Sequence, residues 1–228
     1  MAASDGVGWR RFAAAAALVS LGVVAASPAC AKTKKTAPGA SAASAAGTSG
    51  AGGAAVYAET FRTVCAACHG ADGRSDMPGT PVLAGQHSLY AITQLFLFRE
   101  GRRNNAAMIG LAKQMKDADL RGFSDFIGTL APVPAPAPAA PLDEARMKNG
   151  QALAKEHKCV ISHGTDLAGG QGVPRIGGQK EDYVRETLHG FKSGDRPAYT
   201  RAMTESLSQV PAADLDVLAY YVANFTGK

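Results

Sequence analysis

The residues best suited to chemistry lie at 65–69, where the sequence reads Cys-Ala-Ala-Cys-His. Two thiols separated by two residues and followed directly by an imidazole form the attachment signature of a c-type haem. The spacer sets Cys65 and Cys68 about one helical turn apart, so both thiols reach the vinyl groups on one edge of a porphyrin. His69 then lies against the ring, in position to bind the iron as the proximal ligand.

Two other interpretations of this motif are a zinc site and a dithiol redox pair. A structural zinc site requires a second pair of Cys or His ligands at suitable spacing, and the sequence contains none. A redox pair of the thioredoxin type follows a strand in a βαβ unit, and no such pattern surrounds residues 65–69. The motif therefore indicates covalent haem.

The elements that must position this motif begin after a long N-terminal leader. Residues 1–31 predict an export signal, because a pair of arginines precedes a 15-residue apolar run that is short for a membrane span. The signal ends either at a cleavage site after Ala31 or in a loose lipobox that makes Cys30 a lipidated N-terminus; an uncleaved anchor is the third alternative. Residues 32–53 are almost all small or polar and predict a disordered linker.

Short helices and no strands are predicted for the first domain, at 54–130. Apolar spacing predicts a helix from Ala55 to Ala66 that carries the cysteines, an amphipathic helix from Ser88 to Glu100, a short helix around Met108 and a closing helix from Asp117 to Leu130. Such a short chain buries little by itself, so the haem completes its apolar core.

A proline-rich segment at 131–141 marks the clearest domain boundary. Proline alternates with alanine and valine there, which predicts an extended, semi-rigid spacer. The second domain follows at 142–228.

The second domain repeats the first. The stretch from Pro81 to Gln86 matches the stretch from Pro174 to Gln179, and a tyrosine follows each glutamine by four residues. Leu, Phe, Gly and Arg then follow each tyrosine at offsets of 5, 8, 11 and 13 residues. The matched sets are Tyr90, Leu95, Phe98, Gly101 and Arg103, and Tyr183, Leu188, Phe191, Gly194 and Arg196. So many equal offsets indicate a duplicated unit.

These motifs resemble the class I cytochromes c, and their tandem arrangement resembles the dihaem cytochrome c4 family over about residues 54–228. The resemblance implies an all-α fold of two tandem class I cytochrome c domains, each a few short helices around a haem, joined by the Pro/Ala linker. It implies two haem c groups with Met108 and Met203 as distal iron ligands. Met115 is the rival of Met108, at a position where the family has an apolar residue at a helix start.

The resemblance also implies a hydrogen bond behind each proximal histidine. The carbonyl of Pro81 would accept from His69, and that of Pro174 from His163. Such bonds orient the imidazole and tune the metal.

One departure from the family pattern affects the second haem. Residues 159–163 read Cys-Val-Ile-Ser-His, so Ser162 stands where the family has a cysteine. Serine forms no thioether, and Cys159 can supply only one. Three alternatives remain open: haem held by a single thioether, haem held without a covalent bond, and a haem-free vestigial domain.

Several other polar residues have no assigned role. His87, His157 and His189 are expected to be surface or hydrogen-bonded histidines rather than iron ligands. Arginine pairing with haem propionates or with a partner, and plain solvation, are equally compatible with the sequence at Arg99, Arg102, Arg103 and Arg196. Tyr220 and Tyr221 are expected to pack the last helix against the first helix of the second repeat.

The expected function is electron transfer rather than catalysis. A His/Met pair fills both axial positions and leaves no open site for a substrate, and no acid/base or nucleophile constellation appears. The expected partners are redox proteins, a quinol-oxidising complex and a terminal oxidase or reductase, met in the periplasm. The alternatives are a haem sensor that uses the altered second site and the cytochrome subunit of a periplasmic dehydrogenase.

Charge adds little to this choice of partners. The 228-residue chain has a net charge of +5, and no basic stripe interleaved with aromatic residues indicates nucleic-acid binding. A mild positive charge is compatible with docking on an acidic redox protein or on a membrane surface, the latter also through a lipid on Cys30. The sequence makes no prediction about oligomeric state.

Overall fold

The structure is a computed structural model that describes residues 51–137, 140–196 and 201–227. The predicted export signal, Cys30 and residues 32–50 of the predicted linker lie outside the described residues. Here the range 51–137 is called the first half and the range 140–227 the second half. The described residues belong to one compact unit.

A helical run that ends at the attachment histidine opens the first half. It is longer than predicted, because it begins at Ala51 rather than Ala55, and it passes through a π-helical turn directly before the cysteines. The two long helices match their predicted bounds to within one residue, and the short helix predicted around Met108 is present. The elements are α1 Ala51–Thr60, a π-helical turn Phe61–Cys65, α2 Ala66–His69, α3 Ser88–Arg99, α4 Ala106–Ala112 and α5 Asp117–Thr129.

The second half repeats this order of helices. Its short attachment helix is separated from the preceding helix by His157 and Lys158, and Lys158 adopts a left-handed backbone (φ 60°). The elements are α6 Glu144–Glu156, α7 Cys159–His163, α8 Glu181–Ser193, α9 Ala202–Ser208 and α10 Ala212–Ala223. In the described part of the chain, extended backbone pairs only in an isolated bridge between Gly170 and Val173. The predicted all-α fold is confirmed.

The first and last helices of each half cross at a glycine. In the first half α1 packs on α5, where a Cβ on Gly122 would overlap the ring of Tyr57. In the second half α6 packs on α10, where a Cβ on Gly150 would overlap Tyr221. The phenol oxygen of Tyr220 accepts a hydrogen bond from the Asp143 backbone N–H at 2.7 Å. These contacts confirm the predicted packing of the last helix against the first helix of the second repeat.

The two halves differ in how much apolar core the polypeptide itself builds. A cluster of buried residues in the first half contains Phe61, Ala91 and Ile127. The corresponding cluster in the second half is larger and consists of Leu153, Ala154, Leu167, Val184, Leu207, Val210, Leu215, Leu218, Ala219, Tyr221 and Val222. Buried apolar residues therefore pack into a larger continuous cluster in the second half.

The described part of the proline-rich segment, 131–137, has no regular secondary structure, and it does not hold the halves apart. A Cβ on Gly85 would lie 2.8 Å from Pro132, and the Ala135 N–H donates to the Gly178 carbonyl at 2.8 Å. Both glycines have positive φ (71° and 73°), which lets the backbone approach the segment closely. The segment thus packs along both halves.

None of the helices in the described ranges is long and apolar enough to cross a membrane.

Candidate functional site

The attachment motif of the first half lies at the end of its first helical run. Cys65 closes the π-helical turn and is half-buried, Cys68 in α2 is exposed, and His69 is the last residue of α2 and only 8% exposed. π-Helical turns in α-helices are frequent at functional sites. Gly70 follows with φ 75°, a conformation that only glycine adopts at low cost. The chain therefore leaves the helix directly after the histidine.

A loop of the same half holds the ring of His69. The Nδ1 atom lies 3.1 Å from the carbonyl oxygen of Pro81. Since this carbonyl can only accept, Nδ1 carries the proton, and Nε2 is the nitrogen left to bind a metal. Burial, opposed by the Pro81 bond and aided by the charge of Arg103, lowers the pKa of His69. The ring is therefore kept in the neutral form that ligates iron.

The second half has the same arrangement around its histidine. His163 ends α7, is 6% exposed, and places Nδ1 3.0 Å from the Pro174 carbonyl oxygen. Gly164 follows with φ 80°. Burial lowers the pKa of His163 as well. Both halves therefore present a neutral, oriented imidazole at the same structural position.

The two thiol positions also correspond between the halves. Cys159 is half-buried, like Cys65, and Ser162 is exposed, like Cys68. Burial raises the pKa of the Cys65 and Cys159 thiols. Raised values do not suit a dithiol redox centre, which works through an activated thiolate.

The two methionines lie on equivalent short helices. Met108 is the third residue of α4, and Asn105 caps this helix by accepting a hydrogen bond from the Met108 N–H at 3.0 Å. Met203 is the second residue of α9 and packs against the core of the second half. Both side chains are half-buried. Met115 is also half-buried, between α4 and α5, and its carbonyl accepts from Arg99 at 3.4 Å.

Two glutamines join the loops behind the histidines across the two halves. The side chain of Gln86 donates to the Arg175 carbonyl and accepts from the Arg175 N–H, both at 3.1 Å. Gln179 accepts from the Val82 N–H at 2.8 Å and donates to the Val82 carbonyl at 2.9 Å. Each backbone partner directly follows the proline that binds a histidine. The two histidine loops are therefore connected to each other.

Two arginines and two tyrosines at matched positions also meet between the halves. Arg103 donates to the Tyr183 hydroxyl at 2.8 Å, and Arg196 donates to the same oxygen at 3.1 Å and also hydrogen-bonds Tyr90. Each arginine thus reaches the tyrosine of the opposite half. The sequence repeat identified all four residues and both glutamines as matched positions. It did not predict that they meet between the two halves.

The remaining candidates separate into surface and buried groups. Arg99 pairs with Asp117 at 2.8 Å, which makes it a surface ion-pair residue. His189 lies 2.9 Å from an Asp216 oxygen, and His87 binds the Ala168 carbonyl at 2.8 Å, so both are hydrogen-bonded as expected. His157 does not match the expectation of a surface or hydrogen-bonded histidine, because among the described residues its Nε2 atom is buried without a hydrogen-bond partner.

The donor set fits haem better than a bare metal ion. Within the described ranges, no group of three or more His, Cys, Asp or Glu side chains could hold a metal ion together. Each half instead offers one buried imidazole, a nearby thiol and a methionine on a separate helix. A planar macrocycle that supplies four equatorial nitrogens needs only two axial ligands and a thiol from the protein.

Comparison with known proteins agrees with this assignment. The family model for cytochrome c matches residues 51–131. The chain is 33% identical over 138 residues to cytochrome c4 of Thiocapsa roseopersicina, covering 58% of this chain and 71% of that protein. It is 34% identical over 139 residues to a thiosulfate dehydrogenase electron acceptor of Thiomonas intermedia (strain K12), covering 58% of this chain and 64% of that protein.

Its fold is similar to a solved structure of the same kind. The crystal structure of reduced recombinant cytochrome c4 from Pseudomonas stutzeri superposes with a TM-score of 0.65 at 26% sequence identity. The match covers 75% of this chain and 98% of that chain, so it extends over both halves.

Proposed function

The chain belongs to the cytochrome c4 family of electron-transfer cytochromes, and from this premise we propose that it is an exported carrier with one haem c in each half. Haem, when bound, supplies a one-electron Fe(II)/Fe(III) couple. The task of the polypeptide is to fix the two groups, to fill their axial positions and to present them to redox partners.

In the first half, Cys65 and Cys68 would hold the haem through two thioethers. His69, held by Pro81, would offer Nε2 to the iron, and Met108 in α4 would supply the second ligand. Two filled axial positions exclude substrates from the iron, and a thioether sulfur favours the reduced state. The half therefore serves electron transfer.

In the second half, Cys159 would form the only thioether, and His163 and Met203 would ligate the iron. The observation that carries this assignment is the pair of matched bonds from His69 to Pro81 and from His163 to Pro174, at 3.1 and 3.0 Å. A buried imidazole, neutral and fixed through Nδ1, is what an iron ligand requires.

Exposed apolar side chains beside the attachment cysteines support docking of redox proteins. Val64 directly precedes Cys65 and is 46% exposed, and Ile161 lies between Cys159 and Ser162 and is 75% exposed. Electron-transfer contacts are small and transient, and an apolar patch at a haem edge suits them. We place the protein between a quinol-oxidising complex and a terminal oxidase or reductase.

A second candidate function is electron acceptance from a periplasmic dehydrogenase. Its support is the similarity to a thiosulfate dehydrogenase electron acceptor. Purification from the native host separates the two: a stable complex with a larger catalytic chain supports the dehydrogenase partner, and isolation without one supports the respiratory carrier.

Export is part of the proposal. A signal in residues 1–31 sends the chain to the periplasm, where c-type haem is attached. The mass of the mature N-terminus distinguishes the two processing routes: a diacylglyceryl adduct on Cys30 indicates a membrane-anchored lipoprotein, and a chain starting after Ala31 indicates a free protein.

Carbon monoxide tests the electron-carrier function against the haem-sensor alternative. The reduced holoprotein is mixed with CO and its Soret band is recorded. We expect no change, because His and Met occupy both axial positions in each half, and we expect the protein to cycle reversibly between oxidation states. Rapid CO binding by the wild-type protein would support the sensor and contradict the carrier.

A further inference from the structure

The contact surface between the two halves, here called the joint, contains a small cavity beside both histidine loops. Its volume is about 10 Å³, which is close to the space that a single water molecule needs. Matched positions of the repeat supply most of its wall, namely Val82 and Arg175, Ala84 and Gly177, and Gln86 and Gln179. The cavity is therefore built from equivalent elements of the two halves.

The polar side chains of this wall are removed from solvent. Gln86 is 7% exposed and Gln179 is 8% exposed. Val133 of the proline-rich segment lines the cavity as well. It lies between Pro132, which packs on the first half, and Ala135, which hydrogen-bonds the second half. A ligand in the cavity would thus be enclosed by both halves and by the segment that connects them.

The two glutamines have hydrogen-bonding capacity beyond the bonds described above. A side-chain amide nitrogen carries two N–H groups, and a backbone carbonyl has two lone pairs. Gln86 Nε2 donates one N–H to the Arg175 carbonyl at 3.1 Å, and Gln179 Nε2 donates one to the Val82 carbonyl at 2.9 Å. Each nitrogen retains a second N–H, and each carbonyl retains a second lone pair. A buried polar group is costly unless it is hydrogen-bonded.

We propose that this cavity binds one structural water molecule. The water accepts an N–H from Gln86 and one from Gln179, and it donates its own protons to the Val82 and Arg175 carbonyls. Four polar partners are within the range found for buried waters, whereas cavities that stay dry are apolar. Two N–H donors present their positive ends to the site, so a cation does not suit it.

The bound water would complete a hydrogen-bonded chain between His69 and His163. Each histidine lies against a proline carbonyl, and the residue after that proline is bonded to the glutamine of the opposite half. The water joins the two glutamines. Since groups in such a chain polarise one another, the chain links the two imidazoles electrostatically. This consequence rests on the proposed role of both histidines as iron ligands, but the water site does not.

Nuclear magnetic resonance of the reduced holoprotein tests the site, because low-spin Fe(II) haem is diamagnetic. The readout is the nuclear Overhauser effect between water and the side-chain amide protons of Gln86 and Gln179. We expect both to show the sign that a long-lived bound water gives. Gln151, exposed on α6, is the control and should show the sign of fast surface hydration. A surface-type signal at either Gln86 or Gln179 would overturn the proposal.

The composition of the wall makes this signal specific. No residue that lines the cavity carries a hydroxyl group. An Overhauser effect at the glutamine amides therefore cannot be relayed by a hydroxyl proton of the wall that exchanges with solvent.

Filling the cavity gives an independent readout. Val133→Ile adds a methylene group to the wall, and Val56→Ile, at a position 60% exposed on α1, is the matched control. We expect Val133→Ile to abolish the water signal and to lower the thermal midpoint relative to the control, because two buried N–H groups lose their acceptor. Filling a dry cavity improves packing. A midpoint equal to or above that of the control would therefore contradict a bound water.

The outcomes separate the water site from the two-haem assignment. If the protein holds haem only in the first half and the water signal is present at both glutamines, the two-haem assignment is wrong and the water site stands. If two haems are present and the glutamine amides behave like Gln151, the water site alone is wrong.

Discussion

Gln86 and Gln179 occupy equivalent positions in the two halves, and the side-chain amide of each forms two hydrogen bonds with the backbone of the opposite half. Their backbone partners, Val82 and Arg175, each follow the proline that holds a histidine. The relationship is reciprocal, so neither half can move away without breaking bonds beside both histidine loops. The two histidine loops therefore belong to one connected unit.

Truncation of either glutamine should loosen this joint. Gln86→Ala or Gln179→Ala leaves a backbone N–H and a carbonyl without partners, which costs about 1–3 kcal/mol of unfolding free energy when such groups stay buried. Denaturant unfolding measures the loss, and Gln151→Ala on the exposed face of α6 is the control.

Amide hydrogen exchange locates the same effect. The Val82 amide should exchange faster in Gln179→Ala, and the Arg175 amide faster in Gln86→Ala. Unchanged exchange at both amides would show that the bonds do not hold the joint.

The helix crossings should not tolerate a methyl group. Gly122→Ala meets the ring of Tyr57, and Gly150→Ala meets Tyr221, so each variant is overpacked and should lose about 1–3 kcal/mol of stability. Gly110→Ala in α4 is the matched control, because no heavy atom lies within 4 Å of its Cβ position. That variant should be neutral or slightly more stable, since alanine is the better helix former. A thermal melt in which all three variants coincide would contradict the crossing geometry.

Restoring the missing thiol should complete the second attachment site. Ser162 is exposed at the position that corresponds to Cys68, so Ser162→Cys should form a second thioether. The pyridine haemochrome band of that haem should then coincide with the band of the first site. Ser193→Cys, an exposed position on α8, should leave the spectrum unchanged. A Ser162→Cys protein with a free thiol and an unchanged spectrum would argue against a haem at this position.

The distal ligands can be identified by removing one sulfur at a time. Met108→Ala and Met203→Ala should each open one iron to CO and abolish the absorption typical of methionine-ligated ferric haem at that site. Met115→Ala should leave CO exclusion intact, because Met115 is assigned to packing between α4 and α5. CO binding by Met115→Ala and not by Met108→Ala would show that Met115 is the distal ligand and that Met108 is a packing residue.

Local sequence signals were sufficient for the helices and the attachment motif. Apolar spacing placed the helices that the structure assigns to Ser88–Arg99 and Asp117–Thr129, since an amphipathic period is readable within one element. The first helix was predicted too short at its N-terminus. Residues 51–53 are too small to give an apolar period, yet they form the start of the helix.

The joint could not be predicted from the sequence, because it depends on how two distant segments dock. Equal offsets identified Tyr183 and Arg103 as matched positions, but offsets within a repeat do not show which residues meet across it. Likewise, composition alone predicts a spacer at the proline-rich segment. Composition cannot predict the packing of this segment on Gly85 and Gly178, because these contacts depend on the folded positions of both halves.

We propose that Cys159 and His163 make the second half a working haem site despite Ser162. The most direct test of this claim is a pyridine haemochrome spectrum of the purified protein, with total iron per chain and the intact mass after acid–acetone extraction. We expect two irons and two covalent haems per chain, one of them with the band shift of a single thioether. One iron per chain, with haem only at Cys65 and Cys68, would contradict the claim.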